Sequence, residues 1–325
     1  MNVKRSLRAF DIFCGAGGSS CGARMAGVEL AGAIDIWEEA IETYGLNFPG
    51  AKLYHSNIRK VSAKQVAKEV GKVDILLASP ECTSHSVARG NREPCDESRR
   101  TAFEVIRFAK ALKPRWVVVE NVVSMQRWDL YAQWLRKLRS LGYKTVEAKL
   151  DASDYGVPQS RRRLFVIGDR EQEPTIPPKR AGKKRTVRHI LESRSIVNGH
   201  NFKFSPLNKP GRAAPTLCRA RRAIKELGDS EPFLIVYYGS DAVGGWQSLD
   251  RPLRTITTLD RFALVRPNGA GHEMRMLQPS ELAAAMGFPE DYGWGTTCRR
   301  TRIKLVGNAV SPLMMKAVLD NLIAD

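Results

Sequence analysis

The sequence predicts an α/β fold of the doubly wound kind, a parallel sheet with helices on both faces, carrying a second, smaller module. Three observations support this. Short β-rich runs alternate with helix-period segments through the first half of the chain, the signature of strands joined by crossover helices. Several of those runs (DILLA, WVVVE, RLFVIG) are almost continuously apolar, as strands covered on both faces should be. After Asp169 the character changes: Pro, Gly and charge crowd residues 171–185, and residues 179–225 hold 14 Lys or Arg against one acid, Glu192.

Taken in order, the expected strands are residues 7–13, 29–35, 72–78, 115–120, 145–150 and 163–168. Residues 101–112 and 129–141 have apolar positions at helical spacing, and Gly142 is placed to end the second helix. Residues 171–185 read as a linker. Residues 1–175 and 276–325 are expected to form one domain, the C-terminal segment packing back, with 176–275 as the second module. From Pro279 the helical pattern returns in SELAAAMG and PLMMKAVLDNLI.

Composition narrows the function. With 325 residues, 43% hydrophobic and 26% charged, the chain is neither disordered nor collagen-like. No apolar run approaches the roughly 20 residues needed to cross a bilayer. The opening MNVKRSLRAFDIFCG lacks a signal-peptide core and reads as a first strand, so a cytoplasmic location at the nucleoid is expected. Six cysteines without a CxxC pair, and five histidines without HExxH spacing, predict neither a disulfide framework nor a metal centre. The net charge of +18 suits a polyanion, nucleic acid ahead of a membrane surface, with solubility as the plainer alternative.

Five segments could carry chemistry. DIFCGAGGSS (11–20) lies where a first strand should turn into a first helix. Glycines there allow close backbone approach to a ligand, and a helix N-terminus offers free N–H groups. Asp35 closes the second expected strand, where an acid can bind ribose hydroxyls. GAGGSS lacks the third glycine of GxGxxG, so an adenosine-bearing ligand without a pyrophosphate fits as well as a dinucleotide. In DILLASPECTSHS (74–86), Cys82 follows Pro80 in a polar loop just past a buried strand, a good place for an exposed nucleophile. A small buried hydrophobe is the commoner use of a cysteine. In WVVVENV (116–122), Glu120 and Asn121 end a strand at the same sheet edge. In DYGVPQSRRRLFVIG, Arg161 and Arg163 share one face of an extended segment; VGNAVSP (306–312) holds a Gly-Asn turn before the last helix.

In this order, the five segments resemble the DNA cytosine-5 methyltransferases over nearly the whole chain. DIFCGAGG is similar to that family's first cofactor motif and Asp35-Ile36 to its second. SPEC resembles the Pro-Cys nucleophile loop, ENV stands unchanged, and Gln159 to Arg163 match QxRxR. RPLRTITT (251–258), RMLQPSELAAAMGFP and GNAV resemble the later motifs. The resemblance implies a Rossmann-like methyltransferase domain with a smaller target-recognition domain. It implies S-adenosylmethionine as cofactor and S-adenosylhomocysteine as product, with no metal. Phe13, Gly15, Gly17, Gly18, Asp35, Ile36, Asn57, Ile58, Pro80, Asn308 and Val310 would line the cofactor pocket. Cys82 would add to carbon 6 of cytosine, Glu120 would bond to ring N3, and Arg161 and Arg163 would orient the base or a nearby phosphate and favour the thiolate. The base must leave the stack to be reached.

Glu81 stands where the motif usually has Pro, Thr83 replaces Gln, His85 replaces Phe, and Asn57 replaces Asp. Asn57 should still leave a hydrogen-bonding amide near the adenine edge. A carboxylate beside a thiol opposes thiolate formation, so Glu81 should point away or pair with a basic residue. The expected partner is double-stranded DNA, read by a monomeric protein with no membrane role and a cognate restriction endonuclease as a companion. The basic segment, with Arg219, Arg221 and Arg222 foremost, is expected against DNA. An RNA cytosine methyltransferase and a DNA-binding protein that has lost activity are the alternatives.

Overall fold

The computed structural model describes residues 6–81, 100–192, 203–238, 245–269, 271–295 and 297–324. Seven strands form the main sheet: β1 (Arg8–Ile12), β2 (Glu29–Asp35), β3 (Lys52–His55), β4 (Ile75–Ala78), β5 (Trp116–Asn121), β6 (Lys144–Asp151) and β7 (Arg162–Asp169). Their order is β3-β2-β1-β4-β5-β7-β6. β1 to β5 run parallel, but β7 is antiparallel to both β5 and β6, which corrects the expectation of a parallel sheet. The connection from β6 to β7 holds only the 3-10 turn Ala152–Tyr155. Without a crossover helix, the returning strand must reverse direction. β3 is missing from the expected strands because KLYH is a half-exposed edge with no apolar run.

Alternation along the central strands buries both faces. Phe10, Leu76, Val117 and Val119 pack under three helices, α3 (Ala63–Val70), α4 (Phe103–Leu112) and α5 (Tyr131–Arg139). Ala9, Ile75, Leu77 and Val118 face the other way, toward α1 (Gly18–Met25) and the last helix, α10 (Pro312–Ile323). The C-terminal helix thus packs on the main sheet beside the first one. Gly18 permits the approach: a Cβ there would lie 2.1 Å from the Val310 carbonyl oxygen. α2 (Glu38–Asn47) joins β2 to β3.

Residues 171–185 carry no helix or strand, yet they are anchored. Asp154 pairs with Lys179 (3.0 Å) and Lys184 (2.6 Å), and Arg188 on α6 (Val187–Glu192) pairs with Asp250 (2.5 Å) and Glu231 (3.1 Å). These three cations are held by the protein's own acids. That narrows the expectation that the whole basic segment faces a polyanion.

A second, antiparallel sheet follows: β8 (Ser205–Pro206), β9 (Phe233–Val236), β10 (Trp246–Ser248), β11 (Phe262–Pro267) and β12 (His272–Met276), in the order β10-β9-β11-β12-β8. Phe233, Ile235, Ala263 and Val265 pack against Ala220 and Ala223 of α7 (Ala214–Leu227). Leu234, Val236, Phe262 and Leu264 face the opposite way. They join Leu282 and Met286 of α8 (Pro279–Met286) in a core that continues to Tyr44 and Phe48. Arg275 of β12 grips the buried Glu281 of α8 with two 2.7 Å bonds, and the Gln278 N–H caps the same carboxylate at 2.7 Å. Gly307 and Asn308 end a further helix, α9 (Arg299–Asn308), which the basic pattern RRTRIKLVGN does not announce.

Candidate active site

Strand order reverses at β1, whose neighbours β2 and β4 lead to opposite sides of the sheet. In open α/β sheets, ligands collect at the carboxyl ends of the strands beside such a point. Immediately past β1, Phe13 adopts φ 59°, a left-handed conformation uncommon for a bulky residue and characteristic of functional loops. Its carbonyl accepts the Ser79 hydroxyl at 2.8 Å, tying the loop after β1 to the loop after β4. Gly15 (φ 52°) donates its N–H to Asp35 at 2.8 Å, and a Cβ at Gly15 would meet nothing within 4 Å. The loop therefore leaves open space above a fixed backbone. Gly17 (φ 81°) starts α1, and the hydroxyl of Tyr292 donates to the Ala16 carbonyl beneath it.

The second Asp35 oxygen accepts the Trp37 N–H at 2.9 Å, and burial raises the carboxyl's pKa against these bonds. Beside it, Ile36 is 65% exposed, an apolar side chain at a strand end with nothing over it. Past β3, Asn57 caps the 3-10 turn Ile58–Lys60 by accepting the Arg59 N–H at 3.0 Å through Oδ1. Its oxygen is thereby committed to the turn's own backbone. Val310 is buried and Asn308 is exposed at the end of α9. An open cradle at Gly15, a carboxylate at Asp35 and an uncovered Ile36 suit a ligand with a sugar and a flat ring.

Glu120 and Asn121 stand at the end of β5, beside Pro80, which follows β4. Asn121 is buried; its amide donates to the Pro80 carbonyl (2.9 Å) and its Oδ1 accepts the Val122 N–H (2.8 Å). Cys82, Thr83 and His85 lie outside the described residues. Glu81 is exposed. Glu120, 6% exposed, forms an ion pair with Arg163, whose Nε lies 3.0 Å from its Oε1. Burial raises its pKa, with Arg163 and then Arg161 opposing the shift. A carboxyl so placed keeps its proton more readily than a free one.

Arg161 has a different position from Arg163. Its buried guanidinium donates to the carbonyls of Ile256 (3.0 Å), Gly307 (3.0 Å) and Ala309 (3.1 Å). The structure makes it a tie between the RPLRTITT segment and the turn bearing Asn308. Gln159, fully buried, reinforces the tie by accepting the Ile256 N–H at 2.9 Å and donating to Met286 sulfur at 2.8 Å. The motif contains Gln159, but the sequence alone assigns it no role; a polar residue inside VPQS, where the chain is otherwise buried, is the signal that could have found it. The fork between Arg161 and Arg163 could not be read from a shared face.

Cys14 is buried in the loop after β1, and burial pushes its thiol well up, so it stays protonated. On α7, Arg221 and Arg222 are exposed while Arg219 leans on the Tyr237 ring, 5.7 Å from its centre. Among the described residues no cluster of three or more His, Cys, Asp or Glu could hold a metal ion, and no helix is long and apolar enough to cross a membrane.

The fold and this constellation define a class. The profile of the C-5 cytosine-specific DNA methylases matches residues 7–324, and the chain belongs to that family. A type II methyltransferase, M.AgeI, of Thalassovita gelatinovora is 32% identical over 88% of this chain and 65% of its own length. M1.HphI of Haemophilus parahaemolyticus, also a type II methyltransferase, is 28% identical over 97% of this chain and 86% of its own. The chain spans less than two thirds of several such relatives, 65, 62, 52 and 42% of four of them. Among solved structures, a mutant of Spodoptera frugiperda DNMT2 shares the fold, with a TM-score of 0.71, 19% identity, and coverage of 98% of this chain and 100% of that one.

Proposed function

We propose that the chain transfers a methyl group from S-adenosylmethionine to carbon 5 of a cytosine swung out of duplex DNA. The observation that carries this reading is the buried Glu120–Arg163 pair at the end of β5, next to the contact of Asn121 with Pro80, two residues before Cys82 in the sequence. When bound, S-adenosylmethionine would supply an electrophilic methyl group on sulfur. Phe13, Gly15, Gly17, Gly18, Asp35, Ile36, Asn57, Ile58, Pro80, Asn308 and Val310 would hold it. Asp35 would take the ribose hydroxyls, Ile36 would cover the flat ring, and the Asn57 amide would donate to a ring nitrogen.

Carbon 5 of cytosine is a weak nucleophile. Addition of the Cys82 thiolate to carbon 6 breaks the 5,6 double bond, and Glu120 delivers a proton to N3, so the ring becomes an enamine with electron density at carbon 5. Once carbon 5 is methylated, its proton passes to water, the carbon–sulfur bond breaks to return the thiolate, and the N3 proton goes back to Glu120. Arg163 keeps the Glu120 carboxyl aimed while Arg161 holds the surrounding wall. Extruding the base costs a few kcal/mol, which interactions with the second module would offset.

Incubation with labelled S-adenosylmethionine and either duplex DNA or RNA, followed by bisulfite sequencing, tests the reading. We expect 5-methylcytosine in DNA at a fixed sequence context. Label in RNA alone would move the substrate class, and label in neither would leave a binding protein. Asp35→Ala should weaken S-adenosylmethionine binding by about 1.5–3 kcal/mol, the range for a charge-assisted hydrogen bond. Unchanged affinity by calorimetry would remove Asp35 from the site.

Residues 176–275 are proposed as the target-recognition domain against a catalytic domain of 1–175 and 276–325. The exposed Arg221 and Arg222 would meet phosphates, and the half-buried Arg219 would brace the helix on Tyr237. Replacing both exposed arginines by Ala should lower the slope of log affinity against log salt by about 0.9 for each phosphate left without its arginine. A slope unchanged from the parent would place recognition elsewhere in the module.

A further inference from the structure

We infer that Arg107 is a positioning residue for the cofactor. With Glu104 it locks the turn that bears Asn57 and Ile58 from behind, and this rests on the reading of that turn as part of the cofactor site. The turn is short and weakly self-supported. It contains the Lys60 N–H to Asn57 carbonyl bond (2.8 Å), the longer Val61 N–H to Ile58 carbonyl bond (3.2 Å) and the Asn57 cap. Isolated 3-10 turns of this length are poorly held by their own bonds. Arg107 supplies what is missing from α4, a different element. Its guanidinium donates to the Ile58 carbonyl at 2.6 Å and to the Val61 carbonyl at 2.7 Å, clamping both ends of the turn.

The clamp is itself oriented. Arg107 Nε donates to Glu104 at 2.6 Å, one helical turn earlier, so the planar fork cannot rotate away from the two carbonyls. The Arg107 side chain is about a third exposed and that of Glu104 about a sixth, so the pair is only partly covered. Its position is specific to the turn. Ile58 is buried on the α3–α4 side of the sheet and Asn57 beside it is half-buried, so the clamp fixes the backbone that carries both. Because Asn57 Oδ1 is committed to Arg59, the orientation of its side-chain amide depends on this backbone and hence on Arg107. The residue touches no reacting atom; it acts through Asn57 and Ile58.

Calorimetry and steady-state kinetics on the full chain test the assignment with Arg107→Met, Arg107→Lys and Glu104→Gln. Arg107→Met should raise both the Kd and the KM for S-adenosylmethionine roughly ten- to hundredfold, the span expected when a charged hydrogen bond is removed. At saturating cofactor, kcat and the KM for DNA should stay within about twofold. Arg107→Lys, which keeps the charge and can reach one carbonyl, should recover part of the affinity, and Glu104→Gln should cost only a few-fold. Amides 57–61 should exchange faster in Arg107→Met without cofactor. A lowered melting temperature with unchanged Kd and KM would overturn the proposal and make the pair structural only. If Asp35→Ala also leaves the affinity untouched, the cofactor site itself has been misplaced; if only the Arg107 variants do, the clamp alone is wrong.

Discussion

Cys82→Ala should abolish both methyl transfer and the covalent complex that the parent protein forms with duplex DNA carrying 5-fluorocytosine. Fluorine at carbon 5 cannot leave as a proton does, so once the ring is methylated the carbon–sulfur bond has no route to break and the adduct persists. Electrophoresis under denaturing conditions would show it as a slower band. The same experiment separates the cysteines. Cys14 sits close in sequence to the glycine loop, but it is buried and burial holds its thiol well above the usual range, so Cys14→Ala should still trap DNA. Cys21 is buried too, its thiol pushed up to about 11. Adduct formation that survives Cys82→Ala and disappears with another cysteine would overturn the assignment. Glu81→Pro should leave the rate equal or higher, since it removes a carboxylate beside the nucleophile.

The strands that were legible in the sequence are those buried on both faces. ILLA and WVVV have to be apolar throughout, because Leu76 and Val117 face one helical layer while Leu77 and Val118 face the other. β3 has no such constraint: it is an edge, and its Lys52 and His55 are exposed. The direction of β7 was not legible either. It depends on the length and content of a connection, and RLFVIG reads the same in both directions. At the site, the spacing of DIFCG and Asp35 was enough to bring them together because both end neighbouring parallel strands. The separate positions of Arg161 and Arg163 were not recoverable. They depend on where Ile256, Gly307 and Ala309 return, at sequence separations of about a hundred residues or more. Tyr292 under the glycine loop was hidden for the same reason.

Glu120→Gln should lower kcat by about 10² to 10⁴, the usual contribution of a positioned general acid, while leaving DNA and cofactor affinity close to the parent. Gln keeps the shape and can still donate a hydrogen bond to N3, but it has no proton to transfer. The pH dependence follows from the direction of the Glu120 shift. Burial raises the carboxyl's pKa and Arg163 pulls it back, so the acid form persists above the ordinary carboxylate range. Activity of the parent should therefore fall on the alkaline side as Glu120 loses its proton, and that limb should be missing from the residual activity of Glu120→Gln. Stability carries the matching sign. A carboxyl whose folded pKa is raised binds its proton more tightly in the native state, so its contribution is fully present below the unfolded pKa. It declines as pH rises through the folded value. Glu120→Gln should flatten that decline in thermal melts taken upward from the ordinary carboxylate range, separating the absence of a proton donor from the absence of a fold. A variant with the parent's rate and the parent's alkaline limb would show that N3 is protonated by some other group, and would leave the Glu120–Arg163 pair as a structural feature at the end of β5.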